Sequence, residues 1–275
     1  MRSTSLRQPV REVAIRFARR LRRAILTFRN RLDVPPPPPP PIPAAAIVTT
    51  CLLAKPDPQR QRNWAKDCVP ASRGWRTSVA RVGALGVILY DCLPSNAKRQ
   101  FASKSIRLVR VRRHYRHSTN DHRFFLYQSL LRSYAFQSIF FTDLFDVEVV
   151  RNPFQHHREA RLYIGLDQGL VGSSGYLAGV AKRLFDKDLL DWLAGASDVH
   201  VLNAGVFGGE REIVSAFVDL CCSELMRLNR PDINANMLVV NSVARRYFGN
   251  VLETEICSRF KKYEKDRLDV TFVHK

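Results

Sequence analysis

The chain has 275 residues, a formal charge of +19, 45% hydrophobic residues and six cysteines. That length holds one large domain or two small ones, with enough apolar residues for a sizeable core. No apolar run approaches the ~18 residues that a bilayer-spanning helix needs, and the cysteines form no Cys-x-x-Cys pair, which argues against a zinc site.

The charge is unevenly placed. Residues 1–34 carry ten Arg against Glu12 and Asp33, a net +8. Within them Val10, Val13, Ala14, Phe17, Leu21, Ile25, Phe28 and Leu32 recur three or four apart, with Arg16, Arg19, Arg20, Arg22, Arg23 and Arg29 between. That pattern predicts a basic amphipathic helix, suited to an anionic membrane surface or a transit-type leader, with a disordered basic tail as the alternative. Pro35–Pro41 and Pro43 predict a polyproline II spacer over 35–43. The folded part is expected over 44–275.

Ile47–Leu53 reads as a first strand and Ala84–Tyr90 (ALGVILY) as a second, buried one ending at Asp91. Ile106–Val111 alternates apolar residues with Arg and suggests a third. Between the first two, the tryptophans at 64 and 75 flank a polar region that has room for a helix. Asn120–Tyr134 has helical spacing with Thr119 or Asn120 as its cap. Later come a strand at Arg161–Leu166, a short helix at Phe185–Leu193, a strand at Val199–Asn203, helices at Glu210–Leu228 and Asn236–Tyr247, and a last strand at Asp269–Val273. This alternation predicts an α/β fold with a mostly parallel central sheet.

The central stretch is Phe136–Phe154, FQSIFFTDLFDVEVVRNPF. Its apolar start reads as a buried strand, and Asp143 and Asp146 follow it before the turn signal Asn152-Pro153. In open α/β sheets ligands bind at the carboxyl ends of the strands. Carboxylates held there either take a hard divalent cation or accept hydrogen bonds from backbone N–H groups in a turn. Further on, Asn203 leads into a glycine-bearing segment, Gly205 to Gly209, read as a strand followed by a turn where backbone closely approaches a ligand.

Several pieces in fixed order carry a resemblance. They are IVTTCLL with KPDPQR, STNDHRFFLYQSLL, FFTDLFDVEVVRNPF, VLNAGVFGG, NMLVVNSVARRYF and VTFVHK, spanning residues 46–275. The chain resembles the nucleotide-diphospho-sugar transferases, glycosyltransferases of the GT-A fold. The resemblance implies a Rossmann-type three-layer sandwich. It also implies transfer of a sugar from a nucleoside diphosphate sugar to a hydroxyl on a glycan or glycoprotein acceptor, with Mn²⁺ or Mg²⁺ as cofactor. By resemblance Asp146 and His274 are metal ligands, and Asp143, one place off because Asp-Leu-Phe-Asp is one residue longer than the family's Asp-x-Asp, joins them through water or reaches the ribose instead. Asn120, Asp121, Arg123, Asp143, Gly205, Gly208 and Lys275 become donor-binding candidates, and Asn203 and Asn236 candidates at the reacting sugar. The family usually has an aspartate where Asn236 stands. Asp232, one turn earlier, is the acid that would compensate, and without compensation the chain would be a catalytically silent binder. Nucleic-acid binding has only the charge in its favour, since no zinc-finger or RNP-type pattern occurs. Location follows the resemblance to the Golgi or another endomembrane lumen, or the leader-like segment to another organelle.

Overall fold

The computed structural model describes residues 44–59, 61, 64–112, 116–155, 160–255, 257–260, 264 and 269–274. The expected basic helix, the proline spacer and Lys275 lie outside them. The strands are β1 (Ala45–Cys51), β2 (Gly86–Tyr90), β3 (Ile106–Arg110), β4 (Ser138–Thr142), β5 (Val147–Val149), β6 (Leu162–Leu170), β7 (His200–Glu210), β8 (Leu252–Glu253), β9 (Ser258–Phe260) and β10 (Phe272–His274). Seven of them form the central sheet in the order β3-β2-β1-β4-β7-β6-β8. The first four are parallel, β7 is antiparallel to both β4 and β6, and β8 is parallel to β6. A small second sheet has the order β5-β10-β9.

The alternation of side chains along each central strand builds two cores. Ala46, Val48, Val87, Leu89, Ile139 and Phe141 point to one face; Ile47, Ile88 and Phe140 point to the other. The first face is covered by α4 (Thr119–Ser133), α7 (Arg211–Leu228) and α8 (Asn236–Phe248), with α5 (Gly175–Leu184) and α6 (Lys187–Gly195) beside them. Tyr127 stacks on Phe141 there at 4.0 Å between ring centres, and Phe124 on Phe207 at 5.6 Å. The second face takes α1 (Cys68–Ala71), α2 (Arg73–Arg81), α3 (Ser95–Phe101) and the small sheet through Val147, Val149 and Phe272. The result is the expected α/β three-layer sandwich with a mostly parallel central sheet.

Three details differ from the sequence reading. The glycine segment after Asn203 is not a turn: β7 runs unbroken from His200 to Glu210. Its glycines answer to packing, because a Cβ at Gly208 would lie 2.4 Å from the Phe140 ring. The helix expected over Phe185–Leu193 is α6, starting two residues later at Lys187, and an unexpected helix, α5, precedes it, with Phe185 between the two in the left-handed region at φ 53°. The last strand begins later than expected, at Phe272, and includes His274. All six cysteines are free thiols.

Candidate metal centre

The parallel strands β1 to β4 all end on one edge of the sheet, and the candidate residues gather there. Trp75 donates its indole N–H to the hydroxyl of Thr142 at 2.7 Å, fixing the end of β4 from below. Asp143 continues the β4–β7 ladder by one hydrogen bond, its N–H donating to the Gly205 carbonyl at 2.8 Å. Asp146 follows, and Val147 immediately opens β5, where it pairs in register with His274 of β10. The small sheet thus places the histidine beside the acid next to its partner strand. One potential ligand atom each from Asp143, Asp146 and His274 lies within 4.8 Å of the others.

Gly205 makes room for this grouping. A Cβ there would stand 2.7 Å from an Asp143 oxygen, 2.7 Å from the Asn203 amide oxygen and 2.8 Å from the His274 ring. A side chain at that point would have to push these groups aside. Asn203 is itself buried: its amide oxygen accepts from Gly205 N–H at 2.6 Å, and its NH₂ donates to Asp167 at 3.4 Å.

Helix α4 supplies the positive charge. Ser118 caps it by accepting from Asp121 N–H at 3.1 Å. One helical turn carries Arg123 inward, where it donates to Asp143 and, at 3.0 Å, to the Ala204 carbonyl. Burial works against the Arg123 cation, but Asp143, Tyr127 and Asp121 together more than offset it, so its pKa is raised.

The remaining expected residues divide. Asn120 joins Thr50, Asp57, Trp64, Phe145 and Asp146 in lining a cleft of about 80 Å³ beside Asp143. Asp121 turns away from that cleft. Its carboxylate accepts from Ala235 N–H at 3.1 Å and from Asn236 N–H at 2.7 Å, capping α8, and burial pushes its pKa up to about 6. Gly208 lies inside the sheet against Phe140, where no ligand can approach it. Asn236 is the first residue of α8, 2% exposed, and its amide oxygen has no hydrogen-bond partner among the described residues. Asp232 does not compensate for it: its carboxylate faces solvent in a bridge to Arg230 at 2.9 Å.

Sequence reasoning passed over two aromatic residues at the cleft. Trp64 stacks on Phe145 with 4.5 Å between ring centres, and its N–H donates to Asp57 at 3.4 Å. Phe145 was hidden in plain view as the residue before Asp146.

Fold and site together define an α/β protein with a candidate metal centre at the carboxyl edge of its sheet. No protein-family model matches the chain, and no curated protein is detectably similar to it.

Proposed function

We propose that this chain is a metal-dependent transferase that moves a sugar from a nucleoside diphosphate sugar to a hydroxyl acceptor. The observation that carries the reading is the convergence of Asp143, Asp146 and His274 at the sheet edge, beside a cleft and a buried arginine. Two carboxylates and an imidazole suit Mn²⁺, or Mg²⁺ with waters completing its shell. The Cβ-free space at Gly205 is what lets these donors meet.

Asp146, Asp143 and His274 would hold the ion, which supplies Lewis-acid neutralisation of charge on a diphosphate leaving group. Arg123 holds the Asp143 carboxylate in one orientation and keeps positive charge next to where that group would lie. Asn120 and the Trp64–Phe145 stack border the cleft mouth. Golgi or endomembrane location, and membrane-surface contact through residues 10–32, belong to the same reading. Among the described residues no helix is long and apolar enough to cross a membrane.

Asn236 favours a second reading as well. An amide cannot act as a base or carry the charge of an aspartate, so a sugar-nucleotide or glycan binder without turnover would have the same site.

Thermal unfolding of the full chain with a panel of nucleoside diphosphates, each with and without Mn²⁺, tests the proposal. A ligand at 100 times its Kd adds about 2.7 kcal/mol. A rise in midpoint that needs metal and nucleotide together is the expected result and names the base. Turnover of the matching sugar nucleotide then separates transferase from silent binder, and no shift with any pair would overturn both.

A further inference from the structure

Phe185 is the most exposed large apolar side chain among the described residues, at 86%; the next, Tyr247, is at 47%. It stands at the C-terminal end of α5 in the left-handed region, φ 53° and ψ 30°, where a helix end more usually carries glycine or asparagine. Its N–H holds that conformation by donating to the carbonyls of Ala181 at 3.2 Å and Lys182 at 3.3 Å. An aromatic ring kept in water, on a backbone conformation that disfavours it, is a cost to folding that points toward binding.

The ring borders a surface cavity of about 460 Å³, lined with it by Lys182, Arg183, Arg230, Asp232 and Ile233. Three cations and one acid therefore share one cavity, and the acid is bridged to Arg230. Arg230 also donates to the Arg183 carbonyl at 3.0 Å, which fixes the loop before α8 against the end of α5. Lys182 and Arg183 are exposed. The acids that follow Phe185 in the chain are engaged by arginines as well, Asp186 by Arg227 at 2.6 Å and Asp188 by Arg246 at 2.5 Å. The carbonyls of Ala181, Lys182 and Arg183 all accept hydrogen bonds, which blunts the negative end of α5 toward an incoming anion.

We infer that this end of the folded part docks on an anionic bilayer surface, with Phe185 entering the boundary between headgroups and acyl chains and Lys182 and Arg183 meeting the headgroups around it. Two observations choose the bilayer. A protruding ring with cations at its base matches a surface that is anionic outside and apolar within. Residues 10–32 carry the basic amphipathic pattern suited to the same surface; one such contact is weak, and two on one chain reinforce each other. The docking end is set apart from the candidate metal centre. Gln59 of the cleft wall bonds to Tyr176 near the other end of α5, and the ten residues of that helix span ~15 Å. Docking of this kind does not depend on the transferase reading.

The test is co-sedimentation of the full chain with phosphatidylcholine vesicles, with and without phosphatidylserine. The parent should partition onto the phosphatidylserine vesicles and much less onto the others. Phe185→Asn removes the ring and puts in a residue at ease in the left-handed region. Its unfolding midpoint should match or exceed the parent's, while its partition falls about fivefold. Lys182→Gln with Arg183→Gln should lower partition about tenfold. Arg73→Gln with Arg99→Gln removes the same charge from α2 and α3 on the opposite face of the sheet, and should leave partition within about twofold. Glycerophosphoserine, the soluble headgroup, should not displace the vesicles. Equal partition onto both vesicle types, unchanged partition of Phe185→Asn, or equal loss in the two arginine-containing pairs overturns the inference. Displacement by glycerophosphoserine also overturns it, and would make the cavity a site for a small soluble anion. Because partition is read without Mn²⁺ or nucleotide, such a failure is distinct from failure of the transferase reading.

Discussion

Strands β2 and β4 end alike in sequence, each a buried apolar run followed by an aspartate, yet the two acids lead different lives. Asp91, after β2, is 3% exposed; it accepts from the N–H groups of Leu53 at 2.8 Å, Ala54 at 2.9 Å and Cys92 at 2.6 Å. It ties down the loop that leaves β1. Asp143, after β4, has 29% of its side chain exposed and meets Arg123, Asp146 and His274 instead of a loop. What separates them is the neighbour across the sheet edge. β1 presents unpaired N–H groups to Asp91, whereas β7 presents a glycine, and the small sheet a histidine, to Asp143.

The largest test of this contrast is Asp91→Ala. It leaves three loop N–H groups without their charged acceptor, and at ~1–3 kcal/mol for each polar group stranded, stability should fall by about 3–5 kcal/mol in denaturant unfolding. Asp146→Asn should do the opposite: unfolding in chelator stays within ~1 kcal/mol of the parent, while the stabilisation by Mn²⁺ disappears. If the ion still raised the midpoint, Asp146 would not be a ligand. Asp143→Asn lies between, because it strands the buried Arg123; partial exposure reduces the usual cost of a broken pair to about 2 kcal/mol. Gly205→Ala should cost about 1–3 kcal/mol, as overpacking does, and weaken Mn²⁺ binding by pushing Asp143 and His274 apart.

The smallest effect is in pH. Burial, with His117 and Lys55 nearby and Asp91 opposing, lowers His122 from the ordinary 6.5 to about 4. The unfolded chain therefore binds the proton first, and stability is lost as pH falls from 6.5 toward 4. Asp121, raised from 3.8 to about 6, acts in reverse: its folded form binds the proton first, and stability grows as pH falls from 6 toward 3.8. The two adjacent residues offset each other, so the parent should show a shallow profile across that window. His122→Gln should become more stable on acidification, and Asp121→Asn should lose stability more steeply than the parent.

The hydrophobic pattern exposed most of the central architecture, because strands β1, β2 and β4 are buried on both faces and leave continuous apolar runs. Helix α4 was placed within a residue of its observed ends, its true cap being Ser118. The elements that escaped are those whose making depends on distant partners. β5 has three residues and exists only by pairing with β10, so no local period announces it. The glycines of β7 look like a turn locally, and only the Phe140 ring and the Asp143–His274 grouping explain them. Asp121 illustrates the same limit at the site: the family resemblance implied a ligand contact, but its oxygens meet the start of α8, whose proximity no sequence pattern records.

The register of His274 opposite Val147 has a kinetic consequence. β10 and β5 are far apart in the chain, and closing such a loop is costly before the intervening sheet and helices are in place. The candidate metal centre should therefore assemble late, after the main folding barrier. An ion held there would slow escape from the native state while leaving the folding rate nearly untouched, a brake on unfolding and nothing more.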